Sequence, residues 1–299
     1  MPRYAYVNGR YVPHNAAAVH IEDRGYQFAD GVYEVVPVHR GKLVDEGPHL
    51  DRLERSLAEL RIDMPMSRRA LQLVSKELMR RNGLSFGFVY MQVTRGVAPR
   101  DHKFPKKTPK PALTMTTRQL TPVADAELQE GFHVVTAPDQ RWKRCDIKSV
   151  SLLPNILAKQ KAAEAGCQEA WLVDDDGYVT EGSATNAWIV TKDKKVVTRQ
   201  ADHAILPGIT RLSLLKVMQR EGYELETRPF SLEEAMQANE AFLTSSTNYV
   251  MPITKIDGKA VGNGHPGLLT MKLREAYIAQ VVHGGEGAGP GELQASVQA

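Results

Sequence analysis

A chain of 299 residues with 42% hydrophobic and 24% charged residues has an ordinary globular composition, and its length favours two domains of roughly 100 to 150 residues over one core. With 38 basic against 35 acidic side chains the formal charge is only +3, too small a bias to argue for nucleic acid. Cys145 and Cys167 lack C-x-x-C or His-pair spacing, which leaves no zinc site and reads as reduced thiols in a cytoplasmic protein; no apolar run approaches the roughly 18 residues of a membrane span, and MPRYAYVNGR carries no signal core.

In chain order, YAYVNGRYV predicts a hairpin turning on Asn8-Gly9, and GVYEVVPVHRGKLV a second turning at Arg40-Gly41. Leu50, Leu53, Leu57 and Leu60 recur at helical spacing in HLDRLERSLAEL, and Ser67 caps a second helix that stops at Asn82-Gly83. The runs FGFVYMQVTR and PALTMTTR read as strands. Between them DHKFPKKTPKP, with a single aromatic residue, reads as a solvated basic loop. These elements make an N-terminal domain over 1–118, and the polar, Pro-containing stretch 119–131 is the expected linker.

The second domain, 132–283, opens with strand FHVVTA, the basic segment RWKRCDIKS and helix LLPNILAKQKAAEAG. A β-meander is predicted in EAWLVDDDGYVTEGSATNAWIVTKDKKVVT, then a helix entered at Pro207-Gly208 and a capping box from Ser231 to Glu234. Strands EAFLTSS and VMPITKI and a final helix PGLLTMKLREAYIAQVV follow. The Gly-rich tail, 284–299, has no apolar period and is expected to be disordered.

There is no G-x-G-x-x-G, Walker loop, H-E-x-x-H or G-x-S-x-G, so dinucleotide, nucleoside-triphosphate, zincin and serine-hydrolase readings lose their main support. What remains is a lysine with anion-binding devices around it. Lys148 stands at the boundary of an apolar run, where desolvation makes an amine nucleophilic. PGITR (207–211), TSST (244–247) and EGSATN (181–186) can each offer backbone N–H groups to a phosphate, and Arg52 can add a charge-assisted contact. Singly they are an ordinary helix entrance, two turns and a solvated arginine. With a nucleophilic lysine they suggest pyridoxal 5'-phosphate, whose ring nitrogen needs a neighbouring acid, and Glu181 at a strand end is the candidate.

The stretches EDRGYQFADGVYEVV, RWKRCDIKS, CQEAWLVDDDGYVTEGSATN, ILPGITR and FLTSST, in this order and spacing, resemble the class IV pyridoxal-phosphate aminotransferases. Within that class they are most similar to the D-amino acid group, over nearly the whole chain to about residue 283. The resemblance implies an α+β, two-domain fold-type IV enzyme: a smaller N-terminal α/β domain and a larger C-terminal domain with a β-barrel-like sheet and flanking helices. It implies Lys148 as the Schiff-base lysine and proton carrier, and Glu181 at the pyridine nitrogen. Arg52, Ile209, Thr210 and Ser246 would hold the phosphate with Ser245 beside them, and Tyr33 would line the site. Arg100 and His102, in APRDHKFP, match the Arg-x-His that captures a substrate carboxylate from the neighbouring subunit, so a homodimer is implied.

The expected reaction is ping-pong transfer of the amino group of a D-amino acid such as D-alanine or D-glutamate to pyruvate or 2-oxoglutarate. Branched-chain L-amino acid aminotransferases and aminodeoxychorismate lyases are the alternatives inside the class, and a dimeric binding protein without chemistry is the alternative outside it. One departure is Ser183-Ala184-Thr185, where a hydroxyl expected after TEG is missing.

Overall fold

The computed structural model describes residues 3–283, so the tail 284–299 lies outside the described residues. The chain divides into two compact units, one of residues up to Pro122 together with Ile147–Ser151, the other of Val123–Asp146 and the chain from Leu152.

The first unit starts with β1 (Tyr4–Val7) and β2 (Arg10–Pro13), the expected hairpin. Its turn places both Asn8 (φ 46) and Gly9 (φ 98) in the left-handed region, as a two-residue turn matched to strand twist requires. A short helix not foreseen in the sequence, α1 (Arg24–Phe28), precedes β3 (Gly31–His39) and β4 (Lys42–Leu43), whose connection turns at Arg40-Gly41 as predicted. Next come α2 (Glu46–Glu59), α3 (Arg68–Asn82), β5 (Phe86–Thr94) and β6 (Ala112–Gln119). Ser67 caps α3 through the Ala70 N–H, and Gly83 ends it. The sheet order is β2-β1-β6-β5-β3-β4. In β5 burial alternates, with Gly87, Val89, Met91 and Val93 inward, because successive side chains point to opposite faces. Leu50, Leu53 and Leu57 of α2 and Leu71 and Leu78 of α3 close over that face in a core that also takes in Ile147.

The second unit contains α4 (Asp125–Glu130), β7 (Phe132–Pro138), α5 (Leu153–Glu164), β8 (Glu169–Val173), β9 (Val179–Gly182), β10 (Asn186–Val190) and β11 (Val196–Thr198). It continues with α6 (Ile209–Glu221), β12 (Leu225–Thr227), α7 (Leu232–Gln237), β13 (Glu240–Ser245), β14 (Tyr249–Ile256), β15 (Lys259–Ala260) and α8 (Leu268–Tyr277). The 119–131 stretch is therefore not featureless: β6 runs into it and α4 occupies half of it.

The predicted meander is corrected by the pairing. β8 and β9 form a hairpin and β10 and β11 another, but the sheet order β12-β11-β10-β13-β14-β7-β8-β9 puts four strands between β9 and β10. The sheet curls so that its β9 edge meets β10 again, where Asn186 Nδ2 donates to Glu181 Oε2 at 2.9 Å. β7 pairs in parallel with β8 through the α5 crossover, and also in parallel with β14. Helices cover this sheet, and every residue of β10 is buried. The capping box is half made: Ser231 Oγ accepts from the Glu234 N–H at 3.0 Å, while the Glu234 carboxylate is taken by Arg228. Among the described residues no helix is long and apolar enough to cross a membrane.

Candidate functional site

Lys148 lies in the five-residue segment that joins the first unit. Buried Ile147 anchors it in the core, and Ser149 forms an isolated bridge with Val32 of β3. Lys148 itself is half-buried; its carbonyl accepts from the Tyr33 N–H at 3.0 Å and its N–H reaches Ser56 Oγ at 3.4 Å. Backbone bonds on both sides fix where the side chain leaves, and Nζ comes to rest 4.3 Å from the centroid of the Tyr33 ring. No carboxylate pairs with it among the described residues. Tyr33 stacks on Tyr90 at 5.7 Å, and burial, with Tyr33 adding to it, pushes the Tyr90 hydroxyl up to about 12.

Arg52 is 2% exposed, and its Nε and Nη2 grip the two oxygens of Glu34 at 2.8 and 2.9 Å. Burial works against the Glu34 carboxylate, but the charge and hydrogen bonds of Arg52 and the bond from His49 outweigh it and hold the acid at about 2. His49 Nδ1 is 2.8 Å from Glu34, and burial lowers its pKa so that it bonds as a neutral ring. Arg100 and His102 are exposed, with the Arg100 guanidinium and the His102 ring 5.0 and 5.4 Å from the ring of Phe28.

In the second unit Glu181 sits near the end of β9 and is buried. Its carboxylate accepts from Arg141 Nη1, from Asn186 Nδ2 and from the Leu206 N–H at 3.2 Å to either oxygen. Burial raises the Glu181 pKa against the pull of Arg141 and Leu206. Burial likewise opposes the Arg141 cation, yet Glu181 and Asp139 outweigh it and raise the Arg141 pKa. Asn186 also donates to the Leu206 carbonyl at 2.9 Å, which ties Glu181 to the loop that enters α6. Gly208 caps that helix. A Cβ there would lie 2.0 Å from Asn186 Oδ1, so glycine is needed for the close approach.

No side chain caps α6, and its first turn holds Ile209 and Thr210, both buried. Arg211 is 2% exposed with Nε unpartnered, and burial, partly offset by Glu181 and Asp202, lowers its pKa to about 10. A buried cation at the positive end of a helix suits a site that receives an anion. Ser245 Oγ accepts from the Asn248 N–H at 3.1 Å, and Ser246 follows in the same turn. Ser183 spends its hydroxyl on Glu169, whereas Thr185 Oγ1 is buried without a partner. An uncapped helix start, an orphaned hydroxyl and a paired acid are what a phosphorylated pyridine would satisfy. The residues present therefore fit pyridoxal phosphate.

The fold thus gathers Lys148, Tyr33 and Arg52 in the first unit, and Glu181, Ile209 and Thr210 in the second. Arg141, Asn186, Glu34 and Arg211 were not singled out from the sequence, since each became notable only through a partner distant in the chain. A cleft of about 570 Å³ is lined by Arg141 together with Asp139, Trp142, Cys145, Thr180 and Asp202, and by neither Glu181 nor the α6 start. Burial pushes the Cys145 thiol there up to about 12, so it is no nucleophile.

The family described as amino-transferase class IV matches residues 31–256. A D-alanine aminotransferase of Bacillus licheniformis is 42% identical over 269 residues, covering 90% of this chain and 94% of that protein. One from Listeria innocua is 40% identical over 277 residues, 92% of this chain and 95% of the relative. A solved branched-chain amino acid aminotransferase with pyridoxamine 5'-phosphate superposes with a TM-score of 0.86 over 99% of this chain and 98% of its own; at 23% identity it speaks to the fold. The branched-chain amino acid aminotransferase from Escherichia coli, 21% identical, does the same with a TM-score of 0.84 over 97% of each chain.

Proposed function

The chain belongs to the amino-transferase class IV family, and on that premise we propose how its residues carry out the reaction. It is a pyridoxal-phosphate-dependent aminotransferase of the D-amino acid type. When bound, pyridoxal phosphate supplies an aldehyde that condenses with amines and a ring that takes up negative charge from a substrate carbon.

Lys148 would supply the amine that holds the aldehyde and would serve as the base and acid that moves the proton at the substrate Cα. Its place over Tyr33, free of any carboxylate, keeps Nζ available for both tasks. Glu181, held by Arg141 and oriented by Asn186 and Leu206, would pair with the ring nitrogen and favour its protonated form. The first-turn amides of α6 at Ile209 and Thr210, with Arg52, Ser246 and neighbouring Ser245, receive the phosphate. Tyr33, beside Lys148 Nζ, would line the site. Arg100 and His102 take the substrate carboxylate, presented by the partner subunit of a homodimer, and so select which face of the cofactor the Cα–H meets.

D-Alanine or D-glutamate as donor, pyruvate or 2-oxoglutarate as acceptor, ping-pong kinetics and a cytoplasmic setting complete the proposal. The observation that carries it is the enclosed Glu181–Arg141–Asn186 cluster beside an uncapped helix start. The test is the absorbance of the purified protein with D-alanine or L-leucine added and no oxo acid. Loss of the bound-cofactor band with D-alanine alone is expected, whereas a response to L-leucine alone would replace the D-specific reading with a branched-chain one. Lys148→Ala should lower turnover about a thousandfold; normal turnover in that variant refutes the role of Lys148.

A further inference from the structure

The motif EDRGYQFADG has no role in the chemistry above, yet it holds the loop that follows β5. Asp23 caps α1 through the Gly25 N–H at 2.8 Å, and its other oxygen accepts from Thr94 Oγ1 at 2.9 Å. The Arg24 N–H donates to the Gly96 carbonyl at 3.0 Å, the Ala98 N–H to the Glu22 carbonyl at 3.3 Å, and Asp23 bridges Val97. Gly25 is required because a Cβ would lie 2.2 Å from Thr94 Cγ2. The α1 turn is thereby strapped to the start of the loop that carries Arg100 and His102.

The loop then folds back onto the same turn. Arg24 Nη1 donates to the Asp101 carbonyl at 2.6 Å, and the Phe28 ring receives the guanidinium of Arg100 and the ring of His102. Phe104 is 49% exposed, and its ring lies 3.8 Å from the Arg95 guanidinium carbon and 5.2 Å from that of Arg61. The two cations that grip the loop meet on one acid: Asp30 Oδ2 accepts from Arg24 Nε at 2.8 Å and from Arg95 Nε at 2.7 Å. Without Asp30 they would repel each other in a nearly buried setting. Arg100 meanwhile makes no ion pair among the described residues, so its donors stay available to an incoming carboxylate while Phe28 fixes its position.

We propose that Asp23–Asp30 is a docking platform that presets the Arg100/His102 loop for the substrate carboxylate, with Asp30 as its hub and Phe28 and Phe104 as its anchors. The proposal rests on the reading of Arg100 and His102 as the carboxylate clamp. These are positioning residues: their loss loosens the clamp and leaves cofactor binding alone, because none of them belongs to the cofactor's residue set.

The test compares Phe104→Ala, Phe104→Trp and Asp30→Asn with wild-type holoenzyme. Phe104 is half exposed, so its variants keep the fold even where Asp30→Asn does not. Phe104→Ala should raise amide hydrogen exchange over residues 99–106 and KM for D-alanine each about tenfold, with kcat nearly constant and the cofactor spectrum unchanged. Phe104→Trp should restore both. Unchanged exchange overturns the platform, as does faster exchange with unchanged KM, or a loss confined to kcat and cofactor affinity. Arg100→Ala separates the parent reading: if it leaves KM unaltered in a working transaminase, the clamp itself is wrong, whereas a raised KM there with an inert Phe104→Ala refutes the platform only.

Discussion

Glu34 has no solvent exposure and still keeps its charge, because Arg52 and His49 occupy its oxygens. Its pKa in the folded chain, about 2, lies below the ordinary 4.5, so the native state binds fewer protons between those values. The stabilisation is complete above about pH 4.5 and is lost as pH falls toward 2. His49, with a lowered pKa, adds to the loss because the unfolded chain protonates first as pH drops below about 6.5. Acid titration of stability should show this loss, and Glu34→Gln should flatten it below pH 4.5. Arg52→Met should cost about 3–5 kcal/mol in denaturant unfolding, since it strands a buried carboxylate. A variant of wild-type stability would mean that the pair is not buried as described.

The start of α6 shows how an element becomes a site. Its Gly208 cap leaves the first-turn amides without a side-chain acceptor and makes room for Asn186, which in turn holds Glu181. Gly208→Ala should therefore do more than overpack by about 1–3 kcal/mol. Displacing Asn186 releases Glu181 and the Leu206 loop together. Thermal shift of the cofactor-free protein by inorganic phosphate, expected for the wild type, should weaken at least about tenfold in apparent affinity, given the lost first-turn geometry; equal shifts would detach Gly208 from anion binding. The predicted helix entrance at Pro207-Gly208 was legible from residue type alone, but the reason for the glycine was not, because Asn186 approaches from a strand well back in the chain.

For the whole molecule, α5 exposes Leu153, Ile156 and Leu157 at 67, 59 and 58% while Ala158 and Ala162 face its own sheet. Such a one-sided apolar stripe calls for a cover, which suits the proposed homodimer. Sedimentation should give twice the chain mass of 33.2 kDa, and Ile156→Asp with Leu157→Asp should shift the protein toward the monomer. A wild-type monomer at micromolar concentration would end that reading and, with it, the delivery of Arg100 and His102 across an interface.

By itself the sequence determined most elements: periodicity placed α2, the Ser67 cap and Asn82-Gly83 stop placed α3, turn chemistry the two N-terminal hairpins, and RWKRCDIKS the lysine at a boundary. These are local properties, set by side-chain period and φ preference. The tertiary structure alone decided that Arg141, in a run rich in basic residues, is the one that turns to Glu181, and that β9 and β10 are not neighbours in the sheet order. It also decided that Phe104 of a solvated-looking loop rests on two arginines. Each depends on which distant segment supplies the opposing charge, strand edge or ring, and a pairing between remote segments leaves no period in the chain.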